Sequence, residues 1–132
     1  MTRTDARELL MQAVFQMEAQ KDSSNQLFEL LIDERNPDKS SLSYLRTNFE
    51  NIRRNIDEID NKIDEFAKGR GSKRMPKSVL AVLRAAIGEM LYYDTPNPIV
   101  INEAVEIAKK YCGDDDEKFI NGVLGSIERS IK

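Results

Sequence analysis

Three observations predict an all-α fold. Apolar residues recur at helical spacing almost from end to end, no segment alternates as a strand would, and the connections are short enough to join antiparallel neighbours. The expected architecture is a compact bundle of six or seven helices. The 132 residues suit one domain, residues 1–132, large enough to bury a core without metal or disulfide. No internal repeat or low-complexity tract interrupts the pattern.

The first helix carries Ala6, Leu9, Leu10, Ala13, Val14 and Met17 on one face. Thr2 is its expected N-cap, with Asp5 as the capping-box acid. The helix is expected to fade near Asp22-Ser23-Ser24-Asn25, and a short second helix over Gln26–Asp33 to end at Asn36-Pro37. Leu42, Leu45, Phe49, Ile52, Ile56, Ile59, Ile63 and Phe66 then step by three and four, a heptad seam. It reads as one long helix, or as two that meet near Arg54-Asn55. Such a seam can zip a homodimer; packing inside the chain's own bundle is the preferred reading, because other helices are at hand.

Lys68 to Lys77 is a loop by its two glycines and one proline. Five of its ten residues (Lys68, Arg70, Lys73, Arg74 and Lys77) are basic and none is acidic. Ser78 to Tyr93 is apolar on nearly every side, which marks a central helix, with Arg84 the conspicuous charge within it. A buried charge needs a partner, and Glu103 is the expected one. Asp94 to Pro98 is a turn, and Pro98 fits the first turn of the next helix. That helix sets Ile101, Ala104, Val105, Ala108 and Cys112 on one face, with Gly113 as its stop. Asp114, Asp115, Asp116 and Glu117 suit the positive N-terminus of the last helix. Ile120, Val123, Leu124, Ile127 and Ile131 are its expected buried stripe.

Composition argues against several functions. There is no histidine, so the commonest general base and metal ligand is missing. The single cysteine, Cys112, falls on an apolar face and reads as core; one cysteine forms no intramolecular disulfide and no CxxC metal site. Gly69-Arg70-Gly71-Ser72-Lys73 lacks the glycine spacing and the preceding strand of a phosphate-binding loop. Catalysis and a resident cofactor are therefore not expected. No apolar run approaches the ~18 residues of a membrane span, and with no signal peptide in view a cytoplasmic location is expected.

The net charge of -3, from 20 basic and 23 acidic residues, does not announce a nucleic-acid binder, so any RNA site must be a local basic patch. The loop cations are one candidate. Arg3 and Arg7, one turn apart and opposite part of the apolar stripe, could clamp a phosphate or pair with nearby acids such as Glu8. Phe15 and Phe119 are the aromatics to watch, since exposed rings stack on splayed bases; from periodicity alone both read as core.

Four stretches resemble the N-utilization substance protein B (NusB) family. They are Ala6-Arg7-Glu8 through Gln12-Ala13-Val14-Phe15; Val82-Leu83-Arg84-Ala85-Ala86 with Glu89-Met90-Leu91; Pro98-Ile99-Val100-Ile101-Asn102-Glu103-Ala104-Val105-Glu106-Ile107-Ala108-Lys109; and Lys118-Phe119-Ile120-Asn121-Gly122-Val123-Leu124. The last two, in this order near the C-terminus, are the most specific, and Lys21 to about Pro76 matches only in helical pattern. The resemblance implies two packed helical subdomains and a bacterial transcription antitermination factor. It implies binding of single-stranded boxA-type leader RNA together with NusE, a small-subunit ribosomal protein. The complex would join RNA polymerase and suppress Rho-dependent termination, notably in ribosomal RNA operons. Matching positions carry the family's RNA contacts to Arg3, Arg7, Asp115 and Phe119. Relatives can bear consecutive arginines where this chain has Thr4 and Asp5; the basic loop is expected to compensate.

Overall fold

The computed structural model describes residues 1–21 and 25–131. Among these there are seven helices and no strand: α1 (Arg3–Ala19), α2 (Gln26–Arg35), α3 (Lys39–Arg54), α4 (Ile56–Phe66), α5 (Lys77–Tyr92), α6 (Asn97–Tyr111) and α7 (Asp116–Ser130). Most of the expected fade of the first helix, Asp22 to Ser24, lies outside the described residues.

Helix α1 starts as its sequence dictates. Thr2 Oγ1 accepts from the Asp5 N–H at 3.0 Å and Asp5 Oδ2 accepts from the Thr2 N–H at 3.3 Å, a reciprocal capping box. Helix α2 runs two residues past its expected end and stops where Asn36 turns left-handed, φ 46°, a conformation asparagine tolerates better than most residues. The seam is broken at Asn55 into α3 and α4, as one of the two readings has it. Leu45, Phe49, Ile52, Ile59 and Ile63 are buried in the chain's own core, and Leu42, Ile56 and Phe66 pack against it. The seam is thus spent internally and is not a free dimer surface.

Helix α5 is the axis of the bundle. It touches α1, α3, α4, α6 and α7, and its residues from Val79 to Met90 are buried without a break. Around it α1, α2 and α3 gather on one side and α4, α6 and α7 on the other. Gly88 is the point of closest approach: a Cβ there would lie 2.5 Å from Ile52 Cγ1, so only glycine lets α3 come this near.

Two local expectations are corrected. Arg84 does not reach Glu103; it bonds Asp60 at 2.9 and 2.7 Å and Glu18 at 2.9 Å, joining α5 to α4 and α1. Glu103 instead serves α1. Ile131 lies past the end of α7 and is 38% exposed, outside the buried stripe. Gly113 stands where expected, directly after the Cys112 cap of α6, though without a left-handed φ; its N–H is held by Asp116 Oδ2 at 2.8 Å. Among the described residues no helix is long and apolar enough to cross a membrane.

Candidate nucleic-acid interface

The two arginines of α1 have different surroundings. Arg3 is exposed, and its guanidinium lies 4.3 Å from the centre of the Tyr44 ring. Arg7 is buried and not opposite the apolar stripe as the sequence suggested. Its Nε and Nη2 donate to Glu89 at 3.1 and 2.7 Å, and its Nη1 to Glu103 at 3.1 Å. A phosphate clamp made of both is therefore not formed in this structure. Tyr44, which the sequence reading missed, donates to Glu89 Oε1 at 2.6 Å, and Thr4 donates to Glu103 at 2.8 Å. Burial pushes the Tyr44 hydroxyl far above its ordinary pKa, so it remains a donor. Burial also opposes ionisation of Glu89, but the bonds from Arg7, Tyr44 and Thr95 outweigh it and hold that carboxyl below its ordinary value. A signal for Tyr44 existed: Ser41, Tyr44 and Asn48, all buried, are spaced three and four apart beside the seam.

At the start of α7 the candidate residues converge. Asp116 holds the Gly113 N–H and fixes the turn between α6 and α7. One turn on, Phe119 is half-buried and packed against the core. The guanidinium of Arg70 lies 4.5 Å from the centre of its ring and is tethered to Asp116 Oδ1 at 3.4 Å. Lys68, Arg70, Lys118, Phe119, Gly122 and Ser126 line one groove, closed on its α4 side by Phe66 and Ala67. The structure thus brings together Phe119 and two cations of the loop. Lys118 and Gly122 were not singled out for this site by sequence; they share the exposed face of α7 with Phe119.

The remaining loop cations, Lys73, Arg74 and Lys77, are exposed. Lys77 begins α5 and, with Phe15, Gln12, Gln16 and Tyr111, lines a second open cleft. Asp115 is exposed at the N-cap of α7 and its side chain makes no capping bond. Cys112 is half-buried, and burial raises its thiol pKa, which keeps it protonated rather than nucleophilic.

Helices α1 and α6 run parallel, for Thr4 and Arg7 meet Glu103 while Glu8 meets Lys110 and Gln12 meets Tyr111. Arg3, over the Tyr44 ring, and the Phe119 groove share no lining residue and are two separate cationic sites.

These features define a class: a helical module with cations and a half-exposed aromatic in one open groove, suited to binding an extended anionic chain. The chain belongs to the NusB family, whose model matches residues 4–129. It is 38% identical over 128 residues to the transcription antitermination protein NusB of Acetivibrio thermocellus, covering 96% of this chain and 88% of that protein. Among solved structures, T. maritima NusB superposes with a TM-score of 0.91 at 32% identity, covering 98% of this chain and 92% of that one. A structure of the antitermination factors NusB and NusE in complex with dsRNA includes a chain matching with a TM-score of 0.89 at 24% identity, covering 97% and 96%. That last likeness is one of fold.

Proposed function

We propose that this chain, as a single RNA-binding domain, binds single-stranded boxA-type leader RNA together with the NusE ribosomal protein. In that role it joins elongating RNA polymerase in the cytoplasm and suppresses premature Rho-dependent termination, notably of ribosomal RNA operons. The observation that carries the reading is Phe119, half-exposed one turn into α7 beside Arg70, Lys68 and Lys118. Aromatic rings among cations are how single strands are held: bases stack and phosphates pair. A chain of matching fold occurs in a structure of NusB and NusE with dsRNA, which supports RNA and NusE as the partners.

Each residue has a part. Phe119 stacks on a base. Arg3 and the loop cations Lys68, Arg70, Lys73, Arg74 and Lys77 neutralise phosphates. Asp115, free of capping duty, accepts from a base amino group or a 2′-hydroxyl. Arg7 acts through the fold: its bonds to Glu89 and Glu103 fix the end of α1 on which Arg3 stands.

The test is a titration of labelled boxA-type RNA with and without NusE, at two salt concentrations. Tight binding in the ternary mixture is expected. Loss of one stacked base is worth ~1–3 kcal/mol, so Phe119→Ala weakens binding by about ten-fold or more. A folded protein that binds no RNA, with or without partner, overturns the reading and leaves a helical interaction module.

A further inference from the structure

The ring that would hold a base already carries a guanidinium over it. The guanidinium carbon of Arg70 stands 4.5 Å from the Phe119 ring centre, within cation–π range. A base inserted between the two planes needs two stacking steps of ~3.4 Å, roughly 7 Å in all. There is no such gap, so a base that stacks on this face must displace Arg70. The same guanidinium is tied to Asp116 at 3.4 Å, and Asp116 is itself held in place by the Gly113 N–H.

The backbone around Arg70 is pinned. The Arg70 N–H donates to the Ala67 carbonyl at 3.3 Å, Ala67 is buried, and the Ser72 N–H donates to Asp64 Oδ1 at 2.7 Å. Displacement is thus a swing of one long side chain and not an opening of the loop. Lys68 and Lys118, in the same groove, lack such a tether among the described contacts. The groove beside the ring is open, so a released Arg70 stays within reach of the strand that replaced it.

We propose that Arg70 is a latch on the Phe119 stacking face: Asp116 holds it over the ring until a base takes its place, and the freed guanidinium then pairs with that strand's phosphate. The inference rests on Phe119 being a stacking residue. It makes Arg70 a specificity device, because a free phosphate or polyanion without a base to stack cannot trade for both the ring and Asp116. It also separates Arg70 from the other loop cations, whose charges face solvent.

The experiment is a double-mutant cycle of RNA affinity in the full chain, with single-stranded boxA-type RNA and NusE as the probe. Asp116→Asn is chosen because the amide oxygen still accepts the Gly113 N–H while the tether to Arg70 is lost. Asp114→Asn, on an exposed acid outside the groove, is the control for charge alone. Exposed ion pairs are weak, so Asp116→Asn should tighten binding by about two- to five-fold beyond the control. In an Arg70→Ala background that surplus should vanish. Arg70→Ala alone should lower the salt slope by about 0.7, the share of one single-strand phosphate contact. Melting curves confirm that each variant is folded.

A surplus equal in both backgrounds, or none beyond Asp114→Asn, overturns the latch. So does an unchanged salt slope in Arg70→Ala, which would show that the guanidinium never reaches a phosphate. Phe119→Ala tells the two readings apart. If it weakens binding while the cycle is flat, stacking stands and the latch falls. If it leaves binding unchanged in a folded protein, both fall.

Discussion

Arg84 and Asp60 form a two-pronged ion pair, Nε to Oδ1 at 2.9 Å and Nη2 to Oδ2 at 2.7 Å, between the central helix α5 and α4. The third nitrogen reaches Glu18 on α1, so one side chain ties three helices together. A planar fork is needed for this; a lysine ammonium cannot serve two carboxylates on opposite sides in the same way. Arg84→Ala is expected to cost about 3 kcal/mol, since Asp60 loses its cation and Glu18 keeps only Lys21, while both carboxylates retain some access to water. Arg84→Lys should recover less than half. Denaturant unfolding checks both, and a lysine variant as stable as the parent would show that charge alone suffices.

The buried pair of Arg7 and Glu89 makes stability depend on acid. The Glu89 carboxyl is held below its ordinary 4.5. A lowered folded value means that the folded state keeps the carboxylate charged where the unfolded chain has begun to protonate. The stabilisation is fully present above about 4.5 and is lost as pH falls through the lower folded value. Asp38, held at about 2 by hydrogen bonds from the Ser41 hydroxyl and N–H, extends the same trend further into acid. Glu89→Gln should cost about 3 kcal/mol at neutral pH, because buried Arg7 then keeps Glu103 as its one carboxylate partner among the described residues. At pH 3 the gap between variant and parent should narrow. Parallel stability curves over the whole range would contradict this.

Gly88 tests how closely α3 and α5 are fitted. The Cβ of Gly88→Ala would stand 2.5 Å from Ile52 Cγ1 and 3.2 Å from its Cδ1. Alanine favours the helix by ~1 kcal/mol over glycine. Overpacking at this distance should exceed that gain, for a net loss of about 1–2 kcal/mol. Ile52→Ala removes both clashing carbons at the cost of a cavity. The double variant should then be more stable than the sum of the two losses, because the new methyl fills part of that space. Additive losses would show that the strain is relieved elsewhere.

How far the sequence spoke depends on what each residue contributes. The apolar face of α1 from Ala6 to Met17 was legible because burial follows period, and Thr2 with Asp5 because a cap is a local bond. The all-round apolar α5 announced its central place. What period cannot give is the partner of a buried charge. The sequence points Arg84 toward Glu103, yet Asp60 and Glu18 are its acceptors, and Glu103 belongs to Arg7 and Thr4. Those pairings depend on how helices cross, which is a three-dimensional fact. The same holds for the groove: Lys68 and Arg70 lie more than 40 residues before Phe119, and only the packing of α4 against α7 sets them beside it.

The loop offers a graded test of the electrostatics. Lys68, Lys73, Arg74 and Lys77 are exposed, and Arg70 is partly covered on Phe119. Each cation that meets a phosphate of a single strand releases a counterion and adds about 0.7 to the salt slope. If all five engage, neutralising them together should flatten the slope by about 3.5 and weaken binding most at low salt. Replacing them one at a time gives the number that touch RNA, since a cation that stays in solvent leaves the slope alone. Arg3 gives the comparison at the other end: Arg3→Ala should lower the slope by about one contact while leaving α1 intact, because Arg7 and not Arg3 anchors that helix. Unchanged affinity and slope after removal of all five loop charges would place the phosphate path elsewhere, on Arg3 and Lys118, and would leave the loop as a solvated turn.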